Sequence, residues 1–544
     1  MYNKSSDLLT RRIFLKTALG GAFAVYLAGC RGTRDPLSHI RGRMVGPDAA
    51  TGHLLRNPAA IPPAFGSAEA AEVVIIGGGI SGLSALRWLR NAGLKDVVLL
   101  ELEQEAGGNS AWGANRVSSY PWAAHYVPIP DVRNQELLDF LAEAGSITGF
   151  QNGLPVYNEF HLCAAPEERL FINGYWQEGI IPATGISSAD RAQIHRFLQF
   201  MEELKRAKGQ DGKDLFAIPL NNSSLEPAYR ELDKLSFSAY LEREGYNSTP
   251  LRWYLEYSCK DDFGLPLHET SAWAGLHYFA SRKGMASNAQ SADLLTWPEG
   301  NGFLMEALQK PHKAAIRTHQ LAFRIEHDAK GVSVHTYDSV KKSSGIIRAK
   351  KAVMAVPHFV GRRLLPSNAF HEDDHFSQNT PWLVANLTLG NLPQVQGQGI
   401  GLCWDNVIYG APSVGYVHAG HQLMGQASSR VITYYKPLIG EPAAQARSKA
   451  RSRSWKSWLK EIVAELSTAH PEVAGSITQA DIRVWGHGMA GPRPGFIWGD
   501  ARAAASTPID NRIFFAHTDY SGISLFEEAF YQGIDAARQI LQTT

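Results

Sequence analysis

The first clear pattern in the chain is a short apolar stretch, Glu72–Ile76, that leads into a glycine-rich turn. Its β-branched residues favour a strand buried on both faces. After the turn, Leu83–Asn91 places apolar side chains at helical spacing, and Gly93 stands where glycine commonly ends a helix. A second apolar run, Asp96–Leu100, is followed by Glu101. The pattern predicts a complete strand–helix–strand unit of about thirty residues.

The turn inside this unit fits a dinucleotide-binding site. Gly77 permits a tight turn, Gly79 lets a pyrophosphate approach the backbone, and Gly82 lets the helix pack on the strand. The free N–H groups and partial positive charge of the helix N-terminus attract phosphates. Glu101 is placed to accept hydrogen bonds from a ribose. The expected contacts are Gly77, Gly79, Ile80, Ser81, Gly82 and Glu101. This unit leaves FAD and NAD open as the ligand.

Further apolar runs occur much later in the chain. They predict strands at Ala314–His319, Ala322–His327, Val332–Tyr337, Ala349–Pro357 and Arg512–Ala516, and a helix from Ile523 to Gln542. Taken alone, the strands between 314 and 357 are equally well explained as a generic antiparallel meander.

The N-terminus has the pattern of an export signal. Thr10–Lys16 contains paired arginines and precedes an apolar run, Ala18–Ala28, that is too short to cross a bilayer. This order predicts a signal peptide over 1–30, recognised by the twin-arginine export machinery. Leu27–Cys30 resembles a lipobox, so we expect Cys30 to carry a lipid anchor on the periplasmic side of a bacterial membrane. The alternatives are an amphipathic basic N-terminus and an ordinary cleavage site. The proline-containing residues 31–70 then predict a linker.

Composition narrows the class of protein. The 544 residues are 44% hydrophobic and 19% charged, as in a globular chain with a large core. The formal net charge of +1 gives no overall field for nucleic acid. The four cysteines include no Cys/Cys or Cys/His pair at zinc-ligand spacing, so no metal site is predicted.

A second glycine pair connects these patterns to a family. Gly107, Gly108 and Asn109 closely follow Glu101. Together with the first unit, this arrangement resembles the flavin-containing amine oxidase and phytoene desaturase family of FAD-dependent oxidoreductases. The resemblance implies non-covalent FAD, since no cysteine follows Cys403 for the linkage found in some relatives. It also implies cofactor contacts at Gly107, Gly108, Asn109, Ala322, Asp519 and Gly522.

The resemblance implies an α/β fold in which three separated segments build one Rossmann-like FAD-binding domain. These segments are 71–115, 296–366 and 505–544. The intervening residues 116–295 and 367–504 would form an α+β substrate-binding domain. The helix after the last strand would place its N-terminus at the flavin, where its dipole stabilises negative charge.

The resemblance further implies oxidation of an amine, including a polyamine, by hydride transfer to flavin. Many relatives have a lysine near the flavin, in the strand that we match to Trp382–Leu389, where this chain has none. Candidate catalytic residues are His125, Trp485, His517 and Tyr520, with Trp122, Tyr126 and His487 nearby in sequence. Ordinary core packing is the competing explanation for these aromatic and histidine residues. Two other functions stay open: desaturation or isomerisation of an apolar substrate, and non-catalytic flavin binding.

Overall fold

The computed structural model describes residues 35–366, 376, 379–390, 399–423 and 428–543. The predicted export signal and Cys30 lie outside these residues and stay predictions. Within the described ranges, no helix is both long enough and apolar enough to cross a membrane.

A seven-stranded sheet carries the predicted strand–helix–strand unit. Its strand order is Ile316–Arg317, Val97–Leu100, Glu69–Ile76, Ser343–Met354, Gly331–Asp338 and Gln320–Asp328, and Ile513–Phe515 pairs with Ser343–Met354. The strands that come first in this order pair in parallel. Ile75, in Glu69–Ile76, lies opposite Leu99 on one neighbouring strand and opposite Val353 on the other. The last three strands form an antiparallel meander. The α/β fold with a parallel sheet is thus confirmed.

The central strand Glu69–Ile76 shows why this sheet is buried. Alternate side chains point to opposite faces of a strand. Val73 and Ile75 pack into one core cluster with the helices Ile80–Asn91 and Phe526–Gln542. Val74 and Ile76 pack into a second cluster with the meander. Both faces are therefore covered, as the β-branched run predicted.

An eight-stranded sheet forms the second layer of the molecule. Its order is Arg41–Val45, Ile477–Met489, Thr380–Leu389, Arg430–Pro437, Gly415–His418, Asp405–Ile408, Glu168–Ile172 and Tyr175–Glu178. Thr380–Leu389 is buried along its whole length, because core clusters lie against both of its faces. Leu383 faces one cluster, and Val384 faces the other.

The helices fill the space around the sheets. Those not yet named are Ala49–Gly52, Gln135–Glu143, Ser188–Arg206, Pro227–Arg230, Phe237–Arg243, Thr249–Phe263, Ala272–Ala280, Gly302–Gln309, His358–Leu364, Ala443–Ser452, Trp455–Leu466, Val473–Ser476, Asp500–Ala505 and Thr518–Ser521. Short two-stranded ribbons pair Tyr126–Pro128 with Leu294–Thr296, Trp112–Ala114 with Ser119–Pro121, and Ile147–Gln151 with Leu154–Tyr157.

The structure corrects several expected boundaries. Ala314 and Ala315 belong to a 3-10 helix, Lys310–Ala315, and only Ile316–Arg317 of that predicted strand pairs with the sheet. The predicted helix from Ile523 begins at Phe526. Gly522, at φ +84°, ends the preceding short helix instead, because a left-handed residue cannot continue a helix.

The segment 31–70, expected to be a linker, contains regular secondary structure in its described part. Its described part contains Arg41–Val45, which pairs in parallel with Ile477–Met489, with Met44 opposite Ile482. Helical turns follow at 49–56 and 58–60. Residues 44–49 and 52–56 include side chains that line the cleft described below. The polar strand sequence gave no periodic signal, because its side chains are mostly exposed.

Candidate functional site

A cleft of about 1110 Å³ runs along the carboxyl ends of the parallel strands. The glycine turn forms one wall. Gly77 has φ +104°, and a Cβ there would lie 2.2 Å from the carbonyl oxygen of Ala355. A Cβ on Gly82 would lie 1.9 Å from the oxygen of Gly77, whereas a Cβ on Gly79 would meet no atom within 4 Å. Gly77 and Gly82 are thus required by packing, and Gly79 faces open space.

The second glycine pair closes the turn from the other side. Gly107 and Gly108 have φ values of +152° and +56°, which favour glycine. A Cβ on Gly108 would lie 3.2 Å from the Cα of Gly79, so the two glycine-rich turns pack backbone against backbone. The N–H of Gly107 donates to the oxygen of Gly78 at 2.8 Å. The result is a bare main-chain cradle that fits a diphosphate.

Glu101 lies next to this cradle. Its Oε2 accepts the N–H of Gly78 at 2.8 Å, and its Oε1 accepts the N–H of Glu103 at 2.8 Å. Burial raises the pKa of Glu101, and the two backbone hydrogen bonds oppose that rise. Each carboxylate oxygen has a second acceptor site. Glu101 can therefore also accept hydroxyl donors from a ribose in the cleft.

Of the other predicted cofactor residues, some line the cleft and others support it from outside the lining. Ile80, Ser81, Asn109 and Ala322 line the cleft. Asn109 is tied down, since its Nδ2 donates to the carbonyl oxygen of Gly488.

Asp519 and Gly522 are not among the lining residues. Asp519 is buried and accepts hydrogen bonds from the N–H of His358 at 2.8 Å and from Nδ2 of Asn379 at 2.9 Å. Burial favours a raised pKa for Asp519, but neighbouring His517 and these donors lower it overall. Gly522 packs against Ile497 and Phe496, where a Cβ would lie 2.7 and 3.1 Å from their side chains. Both residues support the cleft from outside its lining.

Several cations surround the cleft. Burial and the neighbouring charges of Arg56, Arg451 and Arg363 lower the pKa of His53. Arg447 also lines the cleft, and its Nη1 donates to the carbonyl oxygen of Asn379 at 3.0 Å. These side chains come from segments outside the glycine turns, so sequence patterns did not reveal them. A cluster of cations at the same cleft as the main-chain cradle suits an anionic ligand.

A second cavity, of about 490 Å³, lies beside the segment Trp122–Tyr126. His125 lines this cavity, whereas the adjacent Ala124 lines the long cleft. We call it the aromatic cavity, because its walls include Tyr126, Tyr254, Tyr257, Tyr278, Trp404 and Tyr435. His125 stacks on Tyr435 with ring centroids 4.6 Å apart, and its Nδ1 lies 3.1 Å from the oxygen of Ala123.

Carboxylates interrupt the aromatic walls. Glu168, Asp261 and Asp405 line the aromatic cavity. Burial, followed by the charge of Asp262, raises the pKa of Asp261 to about 7. Burial, followed by the charges of Glu168 and Asp261, raises the pKa of Asp405 well above its usual range. The three groups therefore lie close enough to interact.

The structure separates the four predicted catalytic residues. His125 lines the aromatic cavity, and His517 lines the long cleft. Trp485 lines neither, since its Nε1 donates to the oxygen of Trp122 at 2.7 Å and its ring is buried. Tyr520 is fully buried against Phe515 and also lines neither. Of the other candidates, Tyr126 lines the aromatic cavity as His125 does. His487 lines the long cleft and stacks on Phe359, with ring centroids 3.9 Å apart.

Sequence reasoning missed the carboxylates of the aromatic cavity. Asp261 lies in the helix Thr249–Phe263, and Glu168 and Asp405 begin strands of the eight-stranded sheet. None of them belongs to a short motif. The one local signal is the pair Asp261–Asp262 on a helix that also contributes apolar side chains to a core cluster.

Comparison with known proteins agrees with this architecture. Residues 72–365 match the family model described as FAD dependent oxidoreductase. The chain matches none of the curated proteins. It resembles a solved putrescine oxidase variant at 15% identity and a TM-score of 0.65, covering 88% of this chain and 100% of that one. It also resembles cyclohexylamine oxidase from Brevibacterium oxydans IH-35A at 14% identity and a TM-score of 0.62, covering 87% and 99%. At these identities the likenesses show the fold.

The cradle at Gly79 and Gly108, with Glu101 beside it, fits the diphosphate and ribose of FAD. The expectation of an FAD-dependent oxidoreductase is therefore confirmed. Because the family match covers more than half of its 544 residues, the chain belongs to the FAD dependent oxidoreductase family.

Proposed function

We propose that the protein oxidises an amine that binds in the aromatic cavity. FAD held in the long cleft by the glycine turns and Glu101 would supply a two-electron acceptor. The protein binds the substrate, excludes water and orients the carbon next to nitrogen towards the cofactor. The names of putrescine oxidase and cyclohexylamine oxidase, both amine oxidases, support this proposal.

The charge of the aromatic cavity is the observation that carries the proposal. Its two lining cations are already paired with carboxylates outside the lining. Nζ of Lys205 lies 2.6 Å from Glu202, and Nη2 of Arg282 lies 2.8 Å from Asp262. The lining carboxylates Glu168, Asp261 and Asp405 therefore give an excess of negative charge, which favours a cationic guest.

The aromatic rings favour the same guest. The face of an aromatic ring attracts an ammonium group, and this attraction strengthens when water is excluded. Tyr126 and Trp404 meet edge to face, with centroids 5.9 Å apart, beside the stacked pair of His125 and Tyr435. The walls can thus contact the apolar carbons of an amine while the carboxylates balance its charge.

A desaturase or isomerase of an apolar substrate is less consistent with this cavity. Buried carboxylates without a bound cation are costly, and an apolar substrate would not offset that cost. A non-catalytic flavin protein would need no such cavity beside the cofactor cleft.

The proposal is tested by mixing the flavin-loaded protein with amines under anaerobic conditions. We expect at least one of butylamine, benzylamine and 1,4-diaminobutane to bleach the flavin absorbance. Glu168→Gln together with Asp405→Asn should raise the amine concentration for half-maximal bleaching by about 10-fold or more, corresponding to about 1.4 kcal/mol.

Glu178→Gln is the matched control for this double variant. It removes a carboxylate from an exposed position at the same cavity. Its bleaching should match that of the unmodified protein. The proposed function would be contradicted if none of the amines bleached the flavin, even at saturating concentrations.

A further inference from the structure

The proposed oxidation of an amine requires that the substrate nitrogen lose a proton before the neighbouring carbon is oxidised. A simple primary amine has a pKa near 10, so it reaches the protein as an ammonium ion at neutral pH. An ammonium nitrogen has no lone pair with which to assist oxidation at the neighbouring carbon. The buried strand Thr380–Leu389 contains no lysine to help remove the proton. A side chain of the aromatic cavity can accept that proton instead.

Asp261 is placed to face an incoming ammonium group. It lies on the helix Thr249–Phe263 and lines the aromatic cavity. The next residue, Asp262, has a separate task, because its oxygens accept Nη2 of Arg282 at 2.8 and 3.0 Å. Two adjacent carboxylates thus have different partners, and the nearest cation engages the one outside the cavity lining.

The neighbours of Asp261 connect it to the boundary with the cofactor cleft. Its carboxylate interacts with the hydroxyl of Tyr126. It also interacts with Tyr435, whose hydroxyl donates to the oxygen of Ala123 at 3.0 Å. Both tyrosines adjoin the segment that separates the aromatic cavity from the long cleft. A nitrogen held near Asp261 is therefore on the side of the aromatic cavity that adjoins the long cleft.

The other titratable groups of the cavity are less suited to accept a proton. Asp405 already accepts the hydroxyl of Tyr257 at 3.2 Å, and burial with the charges of Glu168 and Asp261 raises its pKa well above its usual range. Burial lowers the pKa of His125 to about 4, so it holds a proton weakly. The pKa of Asp261, near 7, lies between these extremes. The groups that face Asp261 are Tyr126, Glu168, Tyr257, Asp262, Tyr278, Arg282, Asp405 and Tyr435.

We propose that Asp261 accepts the proton that the substrate ammonium group loses before oxidation. An N–H bond of the ammonium breaks, an O–H bond forms on the carboxylate, and the nitrogen keeps the electron pair. The neighbouring carbon can then give up one hydrogen with its bonding electrons, for which FAD held in the long cleft would be the two-electron acceptor. The product is an iminium ion that water hydrolyses to an aldehyde. This inference rests on the proposed function.

The pH dependence of flavin reduction tests the inference. The measured quantity is the rate constant for bleaching divided by the amine dissociation constant, with the panel amine that bleaches fastest. In the unmodified protein it should rise as Asp261 ionises near pH 7 and then level off. In Asp261→Asn only neutral amine from solution can react. The quantity should fall by about 100-fold at pH 7, within the range for a lost general base. It should then rise about tenfold per pH unit towards the amine pKa near 10.

Two further variants separate this role from a structural one. Asp261→Glu should keep a break in the profile near neutral pH, because it restores a carboxylate. His125→Gln should also keep that break. An unchanged profile in Asp261→Asn with normal flavin content would overturn the inference and leave amine oxidation standing. If the break were lost in His125→Gln and kept in Asp261→Asn, the group that accepts the proton would be the imidazole of His125.

Infrared spectroscopy gives a readout that needs no substrate turnover. The difference spectrum of the flavin-loaded protein between pH 6 and pH 8 should contain the ionisation of Asp261 together with that of Glu527 and Glu528, whose pKa values burial raises to about 7 and about 8. Asp261→Asn should remove the Asp261 component and reduce the signal, whereas Glu178→Gln should leave it unchanged. If the signal is the same in all three proteins, Asp261 does not titrate in this range and the inference fails, whether or not an amine is oxidised.

Discussion

Gly79 differs from the other glycines of its turn because its missing side chain leaves space for a ligand. Gly77 and Gly82 pack against backbone atoms at distances that exclude a Cβ. Gly79 has φ −73° and ψ −176°, which other residues adopt easily, and it is the N-cap of the helix Ile80–Asn91. The approach of a diphosphate explains why this position suits glycine.

Gly79→Asp should consequently separate folding from cofactor binding. Aspartate is a favourable N-cap, so the apoprotein should be at least as stable as the unmodified apoprotein in thermal unfolding. The new carboxylate repels the diphosphate, and unit charges 4 Å apart repel by about 4 kcal/mol at an effective dielectric constant of 20. We expect FAD affinity, measured by flavin fluorescence, to fall by about 10³-fold.

Gly82→Ala is the contrasting control for Gly79→Asp. Its Cβ would collide with the oxygen of Gly77, so it should lower the unfolding free energy by about 1–3 kcal/mol. If Gly79→Asp destabilised the apoprotein and bound FAD normally, the assignment of the cradle would be wrong.

The cofactor residues were predictable from sequence because their chemistry is local. Gly77, Gly79 and Gly82 lie within one turn, and Glu101 ends the next strand. The carboxylates of the aromatic cavity were not predictable from sequence, because Glu168, Asp261 and Asp405 come from three distant elements. Their shared burial and mutual repulsion exist only after folding.

At the scale of elements, two helices hold the cleft together. A Cβ on Gly533 of the helix Phe526–Gln542 would lie 2.1 Å from both the oxygen of Ser81 and Oγ of Ser84. Oγ of Ser84 also donates to the oxygen of Phe530 at 2.9 Å. The helix that begins at the glycine turn thus packs closely against the C-terminal helix.

Gly533→Ala should loosen this helix pair. In an open helix the change would stabilise by roughly 1 kcal/mol through propensity. Here the methyl group overlaps the backbone of Ser81, and we expect a net loss of about 1–3 kcal/mol in urea unfolding. Gly475→Ala is the control, because a Cβ there meets no atom within 4 Å. Equal stability of the two variants would contradict close packing at this crossing.

Element boundaries were predictable where apolar periodicity was strong. The helix Ile80–Asn91 contains the predicted stretch Leu83–Asn91 and begins three residues earlier, and the buried strand Thr380–Leu389 contains Trp382–Leu389. The C-terminal helix begins three residues later than expected, since Gly522 adopts a left-handed conformation that its sequence context did not indicate. Arg41–Val45 was missed because an exposed polar edge strand has no hydrophobic alternation.

At the scale of the whole molecule, the cofactor cleft is lined from both sheets and from the N-terminal segment. The seven-stranded sheet contributes Ile76, Leu100 and Ala322. Met44 and Val484 come from strands of the eight-stranded sheet, and Arg447 comes from a helix packed on it. A ligand in this cleft therefore contacts elements that are distant in sequence.

Bound FAD should accordingly stabilise the molecule as a unit. A ligand that binds only the folded state adds about 2.7 kcal/mol at a free concentration of 100 times its Kd. For a chain of 544 residues, with an unfolding entropy of about 2.1 cal/mol/K per residue, this predicts a rise in Tm of about 2 °C. Calorimetry at increasing FAD concentration should show the rise in the unmodified protein and none in Gly79→Asp. A Tm that is independent of FAD in a protein with bound flavin would mean that the cofactor contacts only one part of the structure, because a ligand bridging both sheets must resist their separation.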